Sequence, residues 1–136
     1  MKLTVKEKEG VSIFKVKGKM LIGEDTLVFR KNLIEVLEKN NKILIDLSEC
    51  NYMDSAGIGE MVRSLMTVQD RKGQLKIMNL SKKVKDLFYN LRLISTFKIY
   101  DDETTAVMSF YKKSITKAKA KAEAGTKKKA STKKIK

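Results

Sequence analysis

The residues best placed to do chemistry are Asp54-Ser55-Ala56-Gly57-Ile58-Gly59, which follow an apolar run and open a segment of helical periodicity. The first amides of a helix lack intrahelical acceptors, and an Asp or Ser at the start can accept from them. A phosphate on Ser55 would meet those amides and the positive end of the helix dipole. It would also add about −1.5 to −2 charges beside Asp54. Two glycines in the first turns cost helix propensity, which is explained if something must approach the backbone closely. Local chemistry alone favours a capped helix whose glycines allow close packing. The pattern lacks the Gly-Lys-Ser/Thr ending of a phosphate-binding P-loop and the spacing of a dinucleotide fingerprint.

The rest of the composition narrows the chemistry, leaving Lys-based and carboxylate-based mechanisms open, although the acids are mostly scattered among lysines along surface-like stretches. The 136 residues contain no His and one Cys, Cys50. Ser-His and Cys-His nucleophile pairs are therefore excluded, as are the usual zinc sets and an internal disulfide. No catalytic residue, metal site or cofactor is expected. No apolar run approaches the roughly 18 residues of a membrane span, and a reduced cytoplasm is the expected setting. The net charge of +14 is uneven. Residues 112–136 hold eleven Lys and one acid (+10), leaving residues 1–111 at +4. The expected organisation is a domain over 1–111 and a disordered, basic, low-complexity tail over 112–136.

The elements that must position Ser55 follow from periodicity. Leu3 and Val5 alternate with polar residues, Glu9-Gly10 marks a turn, and Val11–Val16 forms the second arm of a hairpin. Lys17-Gly18 and Ile22-Gly23 read as a loop, and Asp25 or Thr26 as the cap of a helix over roughly 27–39. Its apolar face is Phe29, Leu33, Val36 and Leu37, with Arg30, Lys31, Glu35 and Glu38 left to solvent. Ile43-Leu44-Ile45 suits a central strand covered on both faces. Ile58, Met61, Val62, Leu65 and Met66 then recur at helical spacing. Gly73 stops that helix, and Leu75, Ile77 and Met78 form a strand. Ser81 caps a third helix with the stripe Val84, Leu87, Phe88 and Leu91. A short strand near 97–100 and a helix near 102–110 complete the order ββαβαβαβα. This is an α/β fold: a small mixed sheet with helices packed on it, its central strands parallel through right-handed crossovers.

The run Ile43-Leu44-Ile45-Asp46-Leu47-Ser48, followed by Tyr52-Met53-Asp54-Ser55-Ala56-Gly57-Ile58-Gly59, closely resembles the anti-sigma factor antagonists of the STAS domain family. Lys17-Gly18-Lys19-Met20-Leu21, Lys83–Phe88 and Phe97–Asp102 extend the resemblance across roughly residues 2–110. The resemblance implies a non-enzymatic switch. The serine after the Asp, here Ser55, is phosphorylated by an ATP-dependent serine kinase that is also the anti-sigma factor. The unphosphorylated antagonist binds that partner and frees the sigma factor; phosphorylation blocks binding, and a protein phosphatase resets the switch. Asp25, Asp54, Ser55, Ala56, Gly57 and Ile58 are the implied partner-binding residues, on a monomer. Ala56 stands where the family often has a second hydroxyl, and Leu91–Thr96 departs from the family's Thr-Gly-Leu type of turn.

Other readings remain open at this point. Capping explains Asp25 and Asp54 equally well, and Ile58 also begins the apolar stripe. Met61, Met66 and Met78 read as core filling, and Cys50 as an ordinary loop or core thiol. In the tail, Lys117, Lys119, Lys121, Lys127, Lys128 and Lys129 form either a polyanion-binding segment or a solvated extension. It has neither Arg nor aromatic residues for base readout. Alternative functions are a nucleic-acid-associated protein acting through this tail, or a STAS subunit of another signalling or transport complex.

Overall fold

The computed structural model describes residues 1–111, so the tail lysines named above lie outside the described residues. The chain runs β1 (Lys2–Lys8), β2 (Val11–Met20), α1 (Glu24–Leu37), β3 (Lys42–Met53), α2 (Ser55–Asp70), β4 (Gln74–Met78), α3 (Lys82–Asn90) and β5 (Ile99–Tyr100). A last helix, α4, spans residues 103–111. The order is the ββαβαβαβα expected from periodicity.

One five-stranded sheet has the spatial order β1-β2-β3-β4-β5. β1 is antiparallel to β2, and the remaining neighbours are parallel. The β1–β2 turn is the two-residue hairpin type, with Glu9 at φ 52° and Gly10 at φ 81°.

Alternation along the strands sends side chains into two cores. Phe14, Val16, Ile43, Ile45, Leu47 and Ile77 pack with Phe29 and Leu33 of α1, Met61 and Val68 of α2, and Val84 and Phe88 of α3. Val11, Ile13, Leu44 and Met78 point the other way, against Ala106, Val107 and Phe110 of α4. The first half of β3 is thus covered on both faces, as its continuous apolar run requires. Buried Lys76 donates from Nζ to the carbonyl (3.0 Å) and hydroxyl (2.9 Å) of Ser109 in α4.

Several local expectations are corrected. Residues 17–20, read as a loop, complete β2, with register shifts between Lys15 and Lys17 and between Gly18 and Lys19. Neither Asp25 nor Thr26 caps α1: its N-cap is Gly23, φ 103°, which makes no side-chain cap bond. Asp25 instead lies in the first turn, and the Thr26 hydroxyl donates back to the Gly23 carbonyl at 3.0 Å. Arg30 is not left to solvent but turns inward onto α2. Met66 and Leu91 are exposed rather than part of the core. The Ser81 cap does form, its hydroxyl accepting from Val84 N–H at 3.3 Å. Among the described residues no helix is long and apolar enough to cross a membrane.

Candidate functional site

β3 ends at Met53 and α2 begins at Ser55, so Asp54 alone makes the turn. It is the N-cap, in extended conformation at φ −83°. One carboxylate oxygen accepts from Gly57 N–H at 2.8 Å, closing the first turn of α2. The other accepts from Ile22 N–H at 2.9 Å, tying the β2–α1 loop to the same helix start. These two amides hold the Asp54 carboxyl below its usual pKa, because they stabilise the charged form. A second carboxylate holds the loop from its other side. Asp25 accepts from Leu21 N–H at 2.9 Å and faces the Met1 ammonium at 3.5 Å.

Ser55, the first residue of α2, is exposed. Its amide belongs to the N-terminal set that intrahelical bonding leaves unpaired. A phosphate there would meet positive dipole on one side and the ionised Asp54 on the other. Ala56 is half-buried beside it. Gly57 and Ile58 turn inward: both are buried, and Ile58 joins the main core. The two glycines have different roles. A Cβ on Gly57 would lie 2.4 Å from the Met20 carbonyl oxygen, so the close approach comes from β2 itself. A Cβ on exposed Gly59 would meet nothing within 4 Å.

Exposed apolar residues that periodicity did not single out lie in the β2–α1 loop, in α1 and near the end of β3. Ile22 and Leu27 are 76% and 69% exposed, and Tyr52 is 44% exposed, three residues before Ser55. Behind them α1 is clamped to α2 by Glu60, which is only 6% exposed. Glu60 Oε2 accepts from Arg30 Nη1 (3.2 Å) and from the Ser64 hydroxyl (3.0 Å), while Arg30 Nη2 donates to the Thr67 hydroxyl at 2.6 Å. The available signal was the apolar Ile22 beside a loop glycine. Glu60 carried no comparable signal, since it reads as one more surface acid.

The site is a projecting helix start held by carboxylate–amide bonds. Cavities of about 420 Å³, lined by Ser48, Asn79 and Lys85, and about 520 Å³, lined by Tyr89, Arg92 and Ser95, do not include Ser55. Among the described residues no group of three His, Cys, Asp or Glu side chains could hold a metal ion. Residues 2–106 match the model of the STAS domain. The chain belongs to the STAS domain family.

Relatives of this STAS chain carry one recurrent description. It is 36% identical over 61 residues to the anti-sigma-B factor antagonist of Bacillus subtilis, a match covering 45% of this chain and 56% of that protein. The chain thus matches little more than half of that relative's length. Among solved structures, a candidate anti-sigma factor antagonist from Thermotoga maritima superposes with a TM-score of 0.73 at 24% identity, over 79% of this chain and 93% of its own. The Bacillus antagonist SpoIIAA, solved in a phosphorylated form, gives a TM-score of 0.63 at 14% identity, over 78% of this chain and 96% of its own. Its unphosphorylated form gives 0.66 at 14% identity, over 79% and 94%. At these identities the structural likeness shows a shared fold.

Proposed function

We propose that this STAS domain is an anti-sigma factor antagonist switched by phosphorylation of Ser55. The observation that carries the reading is the exposure of Ser55 as the first residue of α2, beside a cap anchored by two backbone amides. In the unphosphorylated state the exposed surface of Ser55, Ile22 and Leu27 binds an anti-sigma factor that is also a serine kinase, and the sigma factor is released. In the kinase reaction the Ser55 oxygen bonds to the γ-phosphorus of ATP, the bond from that phosphorus to the bridging oxygen breaks, and ADP leaves. The hydroxyl proton passes to a base of the kinase. A phosphatase later hydrolyses the ester with water.

Phosphorylation acts on binding through charge. The added −1.5 to −2 charges, roughly, stand next to ionised Asp54 and cannot be buried in an apolar interface without a cationic partner. Asp25 and Asp54 act by holding the Ile22 loop, Gly57 by admitting β2 against α2, and Ala56 by leaving Ser55 as the one hydroxyl of the turn. In this reading the antagonist is a cytoplasmic monomer without catalytic activity. Residues 1–111 carry the switch, and 112–136 are a separate basic extension. Support comes from the name of the Bacillus subtilis relative and from the existence of a phosphorylated form of SpoIIAA.

The test is incubation of the full chain with ATP and the anti-sigma kinase encoded in the same genome, followed by mass spectrometry. Phosphate on Ser55, retention of the kinase by Ser55→Ala and its release by Ser55→Asp are expected. Modification elsewhere, or Ser55→Asp binding as well as wild type, overturns the proposal.

A further inference from the structure

Among the described residues, the sheet face opposite α1–α3 is only partly covered. α4 packs on Val11, Ile13, Leu44 and Met78, towards the start of β2. Farther along β2, Val16 and Met20 enter the main core, so Lys15, Lys17 and Lys19 project from the other face. Lys2 of β1 pairs directly with Lys17, a like-charge juxtaposition that destabilises a sheet. Tyr52 pairs with Lys19, as Met53 pairs with Met20 in the core, which puts the 44% exposed Tyr52 ring on the lysine face. Two carboxylates adjoin these lysines among the described residues: exposed Glu49, 2.7 Å from Lys15 Nζ and 3.3 Å from Lys17 Nζ, and buried Asp46, which pairs in register with Lys15.

Lysines on an edge strand are expected, because they discourage pairing with other chains. That accounts for Lys2, but not for three lysines on β2, which is flanked by β1 and β3 and has no free edge. A row of cations with an exposed aromatic ring, on a sheet face that the described residues leave open, has the chemistry single-stranded nucleic acid requires. The cations follow the phosphates, and the ring stacks a base whose face is accessible only when unpaired. We propose that the β2 face, with Lys15, Lys17 and Lys19 as phosphate contacts and Tyr52 as the stacking residue, binds single-stranded nucleic acid. This rests on neither the Ser55 switch nor the tail.

The test uses the full chain and fluorescein-labelled oligo(dT), with binding followed by anisotropy as salt is varied. Wild type, a Lys17→Gln/Lys19→Gln variant and Tyr52→Leu all carry the same tail, so differences among them report the face. Loss of two phosphate contacts should lower the slope of log K against log salt by about 1.4, at roughly 0.7 per contact on a single strand. Tyr52→Leu should weaken binding about tenfold with the slope unchanged. A mixed-sequence duplex should bind more weakly than oligo(dT) and be indifferent to Tyr52→Leu. In wild type, amide shifts on adding oligo(dT) should centre on residues 15–19 and 52, a readout that needs no variant to fold. Equal slopes and affinities in all three proteins would assign binding to the tail and overturn the proposal. So would absence of binding, or amide shifts away from β2.

Discussion

Gly57→Ala and Gly59→Ala, two residues apart in α2, should move stability in opposite directions. Both replace a helical glycine, which by itself stabilises by up to about 1 kcal/mol. At Gly59 the new methyl meets nothing within 4 Å, so the gain stands. At Gly57 it lies 2.4 Å from Met20 O, short of ordinary contact at 3.4 Å by 1.0 Å. A backbone oxygen within β2 cannot swing aside as a side-chain tip would, and it also accepts from Asp54 N–H at 3.3 Å. Overpacking of this kind costs about 1–3 kcal/mol. Set against the helix gain, the net expectation is a loss of up to about 2 kcal/mol at Gly57, and the two variants differ by about 1–3 kcal/mol in ΔG, the overpacking cost itself. Urea denaturation followed by circular dichroism resolves this, and Tm should separate by at least about 4 °C. Kinase retention should fall for Gly57→Ala, because moving β2 from α2 strains the Asp54 bond to Ile22. A Gly57→Ala protein as stable as Gly59→Ala would refute the close-approach argument.

Other outcomes follow from the same coordinates. Glu60→Leu should destabilise by about 3 kcal/mol in urea, because it leaves half-buried Arg30 without its carboxylate. Ser81→Ala should cost about 2 kcal/mol, since it removes the α3 cap and the hydroxyl that donates to the Cys50 carbonyl. Asp54 has a depressed folded pKa, so its contribution is present above the ordinary value of 3.8 and is lost as pH falls below it. Asp54→Asn should therefore lower the urea midpoint at pH 7, flatten its acid limb and converge on wild type at acid pH, where Asp54 is protonated. Burial pushes the Cys50 thiol pKa up. Its labelling by a disulfide reagent should be slow in native protein and fast in urea.

How much was legible in the sequence varied with the kind of signal. The β3–α2 junction and the Ser81 cap could be read because capping is local: a side chain bonds an amide three residues on. The run 17–20 was read as a loop because a strand bare on one face alternates Lys with small or apolar residues, which resembles turn chemistry. The start of α1 was misplaced because Asp25 spends its carboxylate on Leu21, upstream, in a bond that only the folded loop creates. On α2 the buried side holds Gly57, Glu60 and Ser64 as well as Ile58, Met61 and Leu65. The inward surface is therefore rotated away from Met66, towards α1. Small and polar residues mark that helix–helix contact, and a hydrophobicity pattern cannot see them. Of the six residues read as partner-binding, Ser55 is exposed, while Asp25 and Asp54 bond the loop and Gly57 and Ile58 point inward.

The spatial order of the strands repeats their order along the chain. Each strand emerging from the ribosome meets a partner already made, so the sheet can extend at one edge without waiting for distant sequence. The second core cannot close in this way. Val11, Ile13, Leu44 and Met78 stay uncovered until residues 103–111 arrive. A nascent or truncated chain ending before them carries an apolar sheet face, so the second core closes only once the helix over 103–111 has been made.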